Sequence, residues 1–376
     1  MPVTIRSIIF ILIVFVLTSC GKNPVDPVTL IYTIEKTKVE VHTRDLYVND
    51  EKFVVRGVGY APTPIGYGVG SYDYFKDSSV YTRDIPLLRQ MGCNTIRTWA
   101  KVTSTAFLDS CYNNGDSPIY VIMGFSYDPN SAISNSTYRQ TKISEFKSYV
   151  NTYKDHRAVL LWCIGNDDNN GFSILDSERT KLYQFINDMA KAAHEAEGRD
   201  FHPTTTALAD NGSLADGDIG NLNRAADDAS MIYLDIWGLN LYPQPYPADF
   251  TASFSSFAGK SAKPLLITEF GIDAYNNGVG PDESTQATNM VRLWHSIKAN
   301  PSGVCVGGSI MAYSDEWWKA GNSSSHDTGG GGPRSDQPDN FSNEEWYGIM
   351  AVSKNSSGPD TVTPRPVYYR LQTAWR

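Results

Sequence analysis

Short apolar runs alternate with amphipathic stretches along most of the chain. Eight runs read as strands, at residues 53–59, 95–99, 119–124, 159–164, 204–208, 236–241, 264–269 and 308–313. Between them, segments 80–91, 138–153, 177–196 and 283–298 carry apolar residues at helical spacing. Continuous apolar strands that alternate with helices are typical of a parallel sheet buried on both faces. Eight such strands predict an α/β fold, the (β/α)8 or TIM barrel.

Two further patterns refine this fold class. Residues 38–55 alternate polar and apolar positions around Asn49-Asp50, which predicts a short N-terminal β-hairpin before the barrel. The alternative is a doubly wound open sheet, but its GxGxxG turn is missing, since residues 66–70 read GYGVG. The barrel is therefore favoured, and functional side chains are expected at the C-terminal ends of its strands.

The first twenty residues have the pattern of a targeting segment. Arg6 precedes an apolar run, 8–17, that is too short to span a bilayer. The run ends in Leu17-Thr18-Ser19-Cys20, which resembles a bacterial lipobox with Cys20 as the lipidated residue. This predicts a lipoprotein signal peptide at 1–19, a lipid-anchored tether at 20–37 and a barrel domain at 38–376. The predicted location is a bacterial cell envelope, at the outer membrane or in the periplasm, and an ordinary secretory peptide or an uncleaved anchor is the alternative.

Charge and composition narrow the class of ligand. Among 376 residues, 32 are Lys or Arg and 41 are Asp or Glu, which argues against a nucleic-acid partner. Aromatic residues make up 12% and charged residues only 19%. This balance suits a neutral, hydroxyl-rich ligand, although it also suits a large core. Because no CxxC or Cys/His metal spacing occurs, we expect no metal and no cofactor.

Acidic residues follow two of the predicted strands. The fourth apolar run leads into Asn166-Asp167-Asp168, and the seventh ends at Glu269. Both positions lie at one mouth of a barrel, where retaining glycosidases place a nucleophile and an acid/base about 5–5.5 Å apart. The alternatives are that Glu269 is a structural ion-pair partner and that Asp167 is a helix N-cap.

Several motifs resemble one clan of enzymes, clan A of the retaining glycoside hydrolases, over residues 38–376. The first-strand motif, helix one with strand two, and strand three are matched in turn by Arg56-Gly57-Val58-Gly59-Tyr60, by residues 83–97 and by Tyr120-Val121-Ile122-Met123-Gly124. These stretches are most similar to the β-1,3-glucanosyltransferases of glycoside hydrolase family 72. Families 2 and 5 share the general layout, and segments 315–319, 345–349 and 365–369 resemble β-glucan-directed members.

The resemblance implies roles for particular residues. Glu269 would be the nucleophile, Asn166 would bind the sugar 2-hydroxyl, and Arg97 and Tyr242 would hold Glu269 ionised and oriented. Trp317 or Trp318 would form a sugar-stacking floor, and Glu316 beside them is a further candidate to bind the substrate. Tyr60 and other tyrosines of the loop after the first strand are candidates to line the cleft.

Asp167 departs from the family pattern, because the family has Glu as the acid/base at the matching position. Aspartate is one methylene shorter, and a misplacement of about 1 Å can cost about 10²-fold in rate. Three resolutions remain open: the backbone advances Asp167, Asp168 or Glu316 supplies the proton, or the site binds glycan without cleaving it well.

These features lead to a functional hypothesis. The chain is predicted to be a monomeric retaining β-glycosidase or transglycosylase that acts on a β-glucan-like oligo- or polysaccharide through a covalent intermediate on Glu269. A catalytically impaired, glycan-binding surface lipoprotein is the alternative, since Asp167 replaces the expected Glu.

Overall fold

A ring of parallel strands surrounded by helices forms the centre of the protein. The computed structural model describes residues 36–170, 178–210, 214–215 and 217–376. The strands are β1 (Val39–His42), β2 (Asp45–Val48), β3 (Glu51–Lys52), β4 (Val55–Gly59), β5 (Thr95–Arg97), β6 (Tyr120–Phe125), β7 (Val159–Ile164), β8 (Thr204–Thr206), β9 (Leu208–Asp210), β10 (Trp237–Leu241), β11 (Leu265–Phe270), β12 (Tyr275–Asn276), β13 (Gly280–Pro281), β14 (Cys305–Ile310), β15 (Gly330–Pro333), β16 (Phe341–Asn343), β17 (Met350–Ser353) and β18 (Thr361–Pro364). The helices are α1 (Ser78–Met91), α2 (Thr105–Tyr112), α3 (Pro129–Ser134), α4 (Ser136–Tyr153), α5 (Arg179–Glu197), α6 (Thr251–Ala258), α7 (Glu283–Ala299) and α8 (Pro366–Ala374).

The sheet order confirms the predicted TIM barrel. Nine strands pair in parallel in the order β8-β7-β6-β5-β4-β14-β11-β10-β9, and a parallel bridge from Thr205 to Ile236 nearly closes the ring. The strands β8 and β9 are separated only at Ala207, so together they form one strand position of the barrel. The ring therefore has the eight strand positions that the apolar runs predicted, in the same order.

Burial explains why the apolar runs form this ring. Every residue of β6, β7, β11 and β14 is buried, because helices cover the outside while side chains fill the inside. Helix boundaries follow local signals. Asp77 caps the first turn of α1, and Gly92 ends this helix with a φ of 92°, a left-handed conformation that glycine adopts without strain.

Three short antiparallel strands precede the barrel. The strand β2 pairs with both β1 and β3, and the predicted turn at Asn49-Asp50 is present, with positive φ at both residues. A second turn at Thr43 also has positive φ and makes the segment a three-stranded meander rather than a simple hairpin. The last part of the predicted hairpin, from Val55, is the first barrel strand.

Two sequence predictions fall outside the described residues. Residues 1–35 are not described, so the signal peptide and the lipidation of Cys20 remain sequence predictions, as do the domain boundaries. Within the part of the chain that is described, no helix is both long and apolar enough to cross a bilayer. Four buried cysteines, Cys93, Cys111, Cys163 and Cys305, carry free thiols.

Candidate active site

A cleft of about 1150 Å³ opens at the C-terminal ends of the barrel strands. Its walls come from the ends of the strands and from the loops that follow them, and they include Tyr72, Trp99, Asn166, Asp167, Tyr242, Glu269 and Trp318. The barrel thus brings together side chains that are far apart in the sequence.

Glu269 lies on β11, is only 5% exposed and accepts hydrogen bonds on both carboxylate oxygens. The oxygen Oε1 accepts from Arg97 and from Trp99 Nε1, the latter at 2.6 Å. The oxygen Oε2 accepts from the Tyr242 hydroxyl at 3.2 Å. Three donors therefore fix the orientation of the carboxylate, as an acceptor-only group requires when it is buried.

Arg97 connects Glu269 on one side of the site with Asn166 on the other. Its guanidinium is fully buried, with one terminal nitrogen on Glu269 and the other 2.5 Å from Asn166 Oδ1. The guanidinium also lies 4.7 Å from the centre of the Trp99 ring. A rigid fork of this kind can hold two acceptors at a fixed spacing, which a lysine cannot do.

Asp167 is held by two side-chain amides. Asn240 Nδ2 donates to Asp167 Oδ1 at 2.8 Å, and Asn166 Nδ2 donates to Oδ2 at 3.1 Å. Asn240 also donates to Asn166 Oδ1 at 3.1 Å. A continuous set of polar contacts therefore runs from Glu269 through Arg97 and Asn166 to Asp167.

The Asp167 backbone leaves the barrel in an unusual conformation. Its φ is 53°, in the left-handed region, and its N–H donates to the Ala207 carbonyl at 2.8 Å. Aspartate visits this region at lower cost than most residues. Burial and the neighbouring Glu269 charge raise the pKa of Asp167 to about 6, although its amide donors favour the charged form.

Asp168 points away from the cleft. It is 3% exposed, and its Oδ1 accepts from the Asn166 N–H at 3.3 Å. A Cβ on Gly165 would lie 1.6 Å from Asp168 Oδ2, and Gly165 has a φ of 75°, so only glycine fits there. Burial raises the pKa of Asp168 to about 8.

Glu316 reaches the cleft from the loop after β14. Lys319 Nζ lies 2.9 Å from Glu316 Oε2 and 3.2 Å from Glu344 Oε2. Burial raises the pKa of Glu316, and the Lys319 charge opposes that shift. Glu316 is therefore an ion-paired group on the wall of the cleft.

The two adjacent tryptophans lie in different surroundings. Trp318 lines the cleft, whereas Trp317 stacks on the His326 ring with centroids 4.8 Å apart. The His326 ring stacks in turn on Trp346 at 3.7 Å. Trp318 is thus the member of the pair that is placed to meet a sugar, and Trp317 packs against the segment that follows β14.

The assignment of Tyr60 to the cleft is corrected by its position. Its side chain is fully buried and its hydroxyl donates to Asp84 at 3.0 Å, because the end of β4 turns this ring toward α1. From the same loop region, Tyr72 and Tyr74 do line the cleft.

Sequence reasoning missed two polar partners of the site. Trp99 donates to Glu269, and Asn240 donates to Asp167. Both lie at or beside the ends of predicted strands, so their position was the available signal. The direction of each side chain depends on strand register, which the sequence pattern does not give.

The glycine-rich segment 322–343 borders the cleft. Backbone hydrogen bonds join Ser323 to Gly66 at 2.7 Å and Ser335 to Tyr246 at 2.6 Å. Further along, the Asn343 N–H donates to Asp273 at 2.7 Å. These contacts tie the segment to three loops of the barrel mouth. Among the described residues, no group of three or more His, Cys, Asp or Glu side chains is arranged to hold a metal ion.

Comparison with known proteins places these residues in context. The sequence profile of the glucanosyltransferases, glycoside hydrolase family 72, matches residues 30–330. The chain is 25% identical to 1,3-beta-glucanosyltransferase GAS5 of Saccharomyces cerevisiae over 275 residues, which cover 71% of this chain and 53% of that protein. It is 24% identical to 1,3-beta-glucanosyltransferase gel1 of Aspergillus fumigatus, covering 74% of this chain and 59% of the relative. The chain thus spans about half the length of the curated relatives it matches.

Solved structures share the fold. A Gas2p variant of Saccharomyces cerevisiae in complex with laminaritetraose and laminaripentaose superposes with a TM-score of 0.59 at 16% identity, over 90% of this chain and 67% of that chain. A family 2 beta-galacturonidase from Eisenbergiella tayi gives 0.62 at 15% identity, over 90% and 54% of the two chains. Both likenesses concern the barrel architecture.

The relatives contradict the predicted location. The curated proteins that match come from Saccharomyces, Schizosaccharomyces, Aspergillus and Candida. The prediction of a bacterial cell-envelope protein is therefore wrong. It depended on a short N-terminal pattern, Leu17 to Cys20, which also fits other export signals.

Proposed function

The chain belongs to glycoside hydrolase family 72, the glucanosyltransferases, and on this premise we propose that it transfers segments of β-1,3-glucan by a retaining mechanism. The observation that carries the proposal is the polar chain from Glu269 through Arg97 and Asn166 to Asp167 in one cleft. Its two ends carry the carboxyl groups that a retaining reaction needs, a nucleophile and an acid/base.

The first step cleaves the donor glucan. Glu269 attacks the anomeric carbon with Oε2, since Oε1 already accepts from Arg97 and Trp99. The bond from that carbon to the leaving oxygen breaks, and Asp167 gives its proton to that oxygen. The products are a glycosyl ester on Glu269 and a shortened glucan with a free hydroxyl.

The second step builds the new bond. A hydroxyl of an acceptor glucan loses its proton to the Asp167 carboxylate and attacks the same carbon, and the ester bond to Glu269 breaks. Two inversions restore the β configuration. Water as the acceptor gives hydrolysis instead, so the occupant of the acceptor side decides between transfer and hydrolysis.

Asp167 is the favoured acid/base although it is shorter than Glu. Its raised pKa of about 6 keeps a protonated fraction available near neutral pH, as a general acid requires. The left-handed backbone supports the view that the loop, rather than the side chain, brings the carboxyl forward. Asp168 faces the interior and Glu316 is paired with Lys319, so neither is the better donor. The alternative of an impaired glycan binder has no comparable support.

The remaining cleft residues are assigned to sugar binding. Asn166 has a second Nδ2 hydrogen beyond the one it gives Asp167, and this can bind the sugar 2-hydroxyl. Trp318 offers an aromatic face to a neutral sugar ring. We also propose that the protein acts as a monomer, because these residues complete the proposed site within one chain.

The proposed substrate follows from the relatives. GAS5 and gel1 are named 1,3-beta-glucanosyltransferases, and Gas2p was solved with laminari-oligosaccharides. We therefore propose β-1,3-glucan as donor and acceptor for this chain.

Product analysis tests the proposal. Purified protein is incubated with a reduced laminari-oligosaccharide, and the products are separated by size. Transfer predicts products longer than the substrate, and these disappear in the Glu269→Gln and Asp167→Asn variants. An Asp200→Asn variant at an exposed site should behave like the parent. If no β-glucan gives longer or shorter products, the proposed function is wrong. If Asp167→Glu raised turnover sharply, the aspartate would be a weakened acid/base rather than a fully adapted one.

A further inference from the structure

Met311 lines the active-site cleft next to the nucleophile. It follows β14, and its N–H donates to the carbonyl of Phe270, the residue after Glu269, at 2.9 Å. Its residue exposure is 4%, whereas the other described methionines are 0% or 1% exposed: Met91, Met123, Met189, Met231, Met290 and Met350. Among the described methionines only Met311 lines the cleft, so a small reagent that enters the cleft meets Met311 before any of these.

The Tyr242 hydroxyl lies between Met311 and Glu269. Its oxygen is 2.8 Å from Met311 Sδ and 3.2 Å from Glu269 Oε2. A hydroxyl has one proton to donate, and a thioether is a weak acceptor beside a carboxylate. In the reduced protein the Tyr242 hydroxyl therefore donates its hydrogen bond to Glu269, and the Met311 sulfur does not compete for it.

We propose that Met311 is an oxidation site that controls the nucleophile: a peroxide converts its thioether to a sulfoxide, and the new oxygen takes the Tyr242 hydroxyl away from Glu269. The proposal rests on the proposed function of Glu269. In the oxidation by hydrogen peroxide, the sulfur attacks one peroxide oxygen, an S–O bond forms and the O–O bond breaks. The proton on the attacked oxygen moves to the departing hydroxide, which leaves as water. The sulfur loses two electrons and the peroxide gains them.

The surroundings of Met311 favour a shift of the Tyr242 hydrogen bond from Glu269 to the sulfoxide oxygen. A sulfoxide oxygen is a strong, polar acceptor where the thioether was weak. Lys319 Nζ lies 4.0 Å from Sδ, so an ammonium group is also at hand to bind the new oxygen. Tyr242 is the donor to Glu269 Oε2, the oxygen proposed to attack, and its departure leaves that oxygen without its positioning contact.

The expected effect is a loss of turnover rather than of binding. A hydrogen bond to a charged group corresponds to a fall in rate of about tenfold or more. Because the contact orients the nucleophile and does not hold the glucan, kcat should fall while KM changes little. Methionine sulfoxide reductase should restore kcat.

The experiment treats the full chain with hydrogen peroxide and follows each methionine by peptide mass spectrometry alongside activity. We expect Met311 to gain one oxygen atom first, with kcat falling in proportion to its oxidised fraction. Each variant is compared with its own untreated rate. Met311→Leu should resist peroxide, and Met123→Leu, at a fully buried methionine, should stay sensitive. Tyr242→Phe should be slow from the start and lose nothing more when Met311 is oxidised.

Three results would overturn the proposal. They are oxidation of another described methionine before Met311, full oxidation of Met311 with unchanged kcat, or a further loss in Tyr242→Phe as large as in the parent. The order of oxidation is read by mass alone, so it can be determined even if the untreated protein does not act on β-glucan. Failure of the proposed function is thereby distinguished from failure of this inference.

Discussion

Asn240 on β10 donates a hydrogen bond of 2.8 Å to Asp167 in the loop after β7. This bond favours the ionised carboxylate and opposes the burial that raises the Asp167 pKa to about 6. The two side chains are 73 residues apart in the sequence and meet because the carboxyl ends of the barrel strands converge. The bond thus tunes the group proposed to give and take the proton.

The Asn240→Ala variant should move the pH profile. In the parent, Asp167 must be protonated for glycosyl transfer to begin, so kcat/KM should fall as pH rises through about 6. Loss of the amide donor removes a contact that lowers the pKa, and the alkaline limb should move to higher pH. Asn151→Ala, at an exposed position of α4, is the control. An unmoved limb, or one shifted to lower pH, would contradict this role of Asn240.

The Asp168→Asn variant should change how stability depends on pH. The folded pKa of Asp168, about 8, lies above the unfolded value of about 3.9. Protonation of Asp168 therefore stabilises the fold fully below pH ~4. This contribution is lost progressively as the pH rises from about 4 through about 8, by about 1.4 kcal/mol per pH unit. Denaturant unfolding should show the variant more stable than the parent at pH 8, with little difference near pH 4. Asp200→Asn should show no such difference, and equal pH slopes for Asp168→Asn and the parent would exclude the buried neutral carboxyl.

The Arg97→Lys variant should lose most activity. A single ammonium group cannot contact both Glu269 and Asn166 at the spacing of the guanidinium, so the two ends of the site lose their common support. Steady-state kinetics should show kcat/KM reduced by about 10²-fold. Arg89→Lys, which alters an arginine bonded to backbone carbonyls outside the cleft, is the matched control. Parent-like activity in Arg97→Lys would show that simultaneous contact of residue 97 with Glu269 and Asn166 is not needed.

The two tryptophans should separate by phenotype. Trp318→Ala should raise KM for laminari-oligosaccharides by about tenfold, because an aromatic face in the cleft is lost. Trp317→Ala should instead lower the melting temperature, since its ring stacks on His326 within the segment after β14. Kinetics and thermal unfolding of both variants test this, and a reversed pattern would mean that Trp317 is the sugar-facing ring.

The sequence predicted the barrel well because its strands are buried on both faces. Apolar runs such as 159–164 coincide with a strand, whereas the last run, 308–313, is displaced toward the loop from β14. There, Ile310 continues into Met311 and Ala312, which are also buried but pack on loop residues beyond the ladder. Burial alone does not tell a strand from a packed loop.

The site was predictable only in part. Acidic residues after buried strands indicate chemistry, and Glu269 and Asp167 do share the cleft. The direction of a side chain at a strand end depends on register and on neighbouring packing. For this reason Tyr60 was expected in the cleft but packs on Asp84, while the contacts of Trp99 and Asn240 were not anticipated.

The covalent intermediate is the most direct test of the account. The protein is incubated with an activated 2-deoxy-2-fluoro β-glucoside or β-1,3-oligoglucoside, whose fluorine slows release of the intermediate, and peptides are then analysed by mass spectrometry. We predict one glycosyl group, attached to the peptide that carries Glu269, and none in the Glu269→Gln variant. A label on another residue, or turnover of β-glucan without any label at Glu269, would contradict the proposed retaining mechanism.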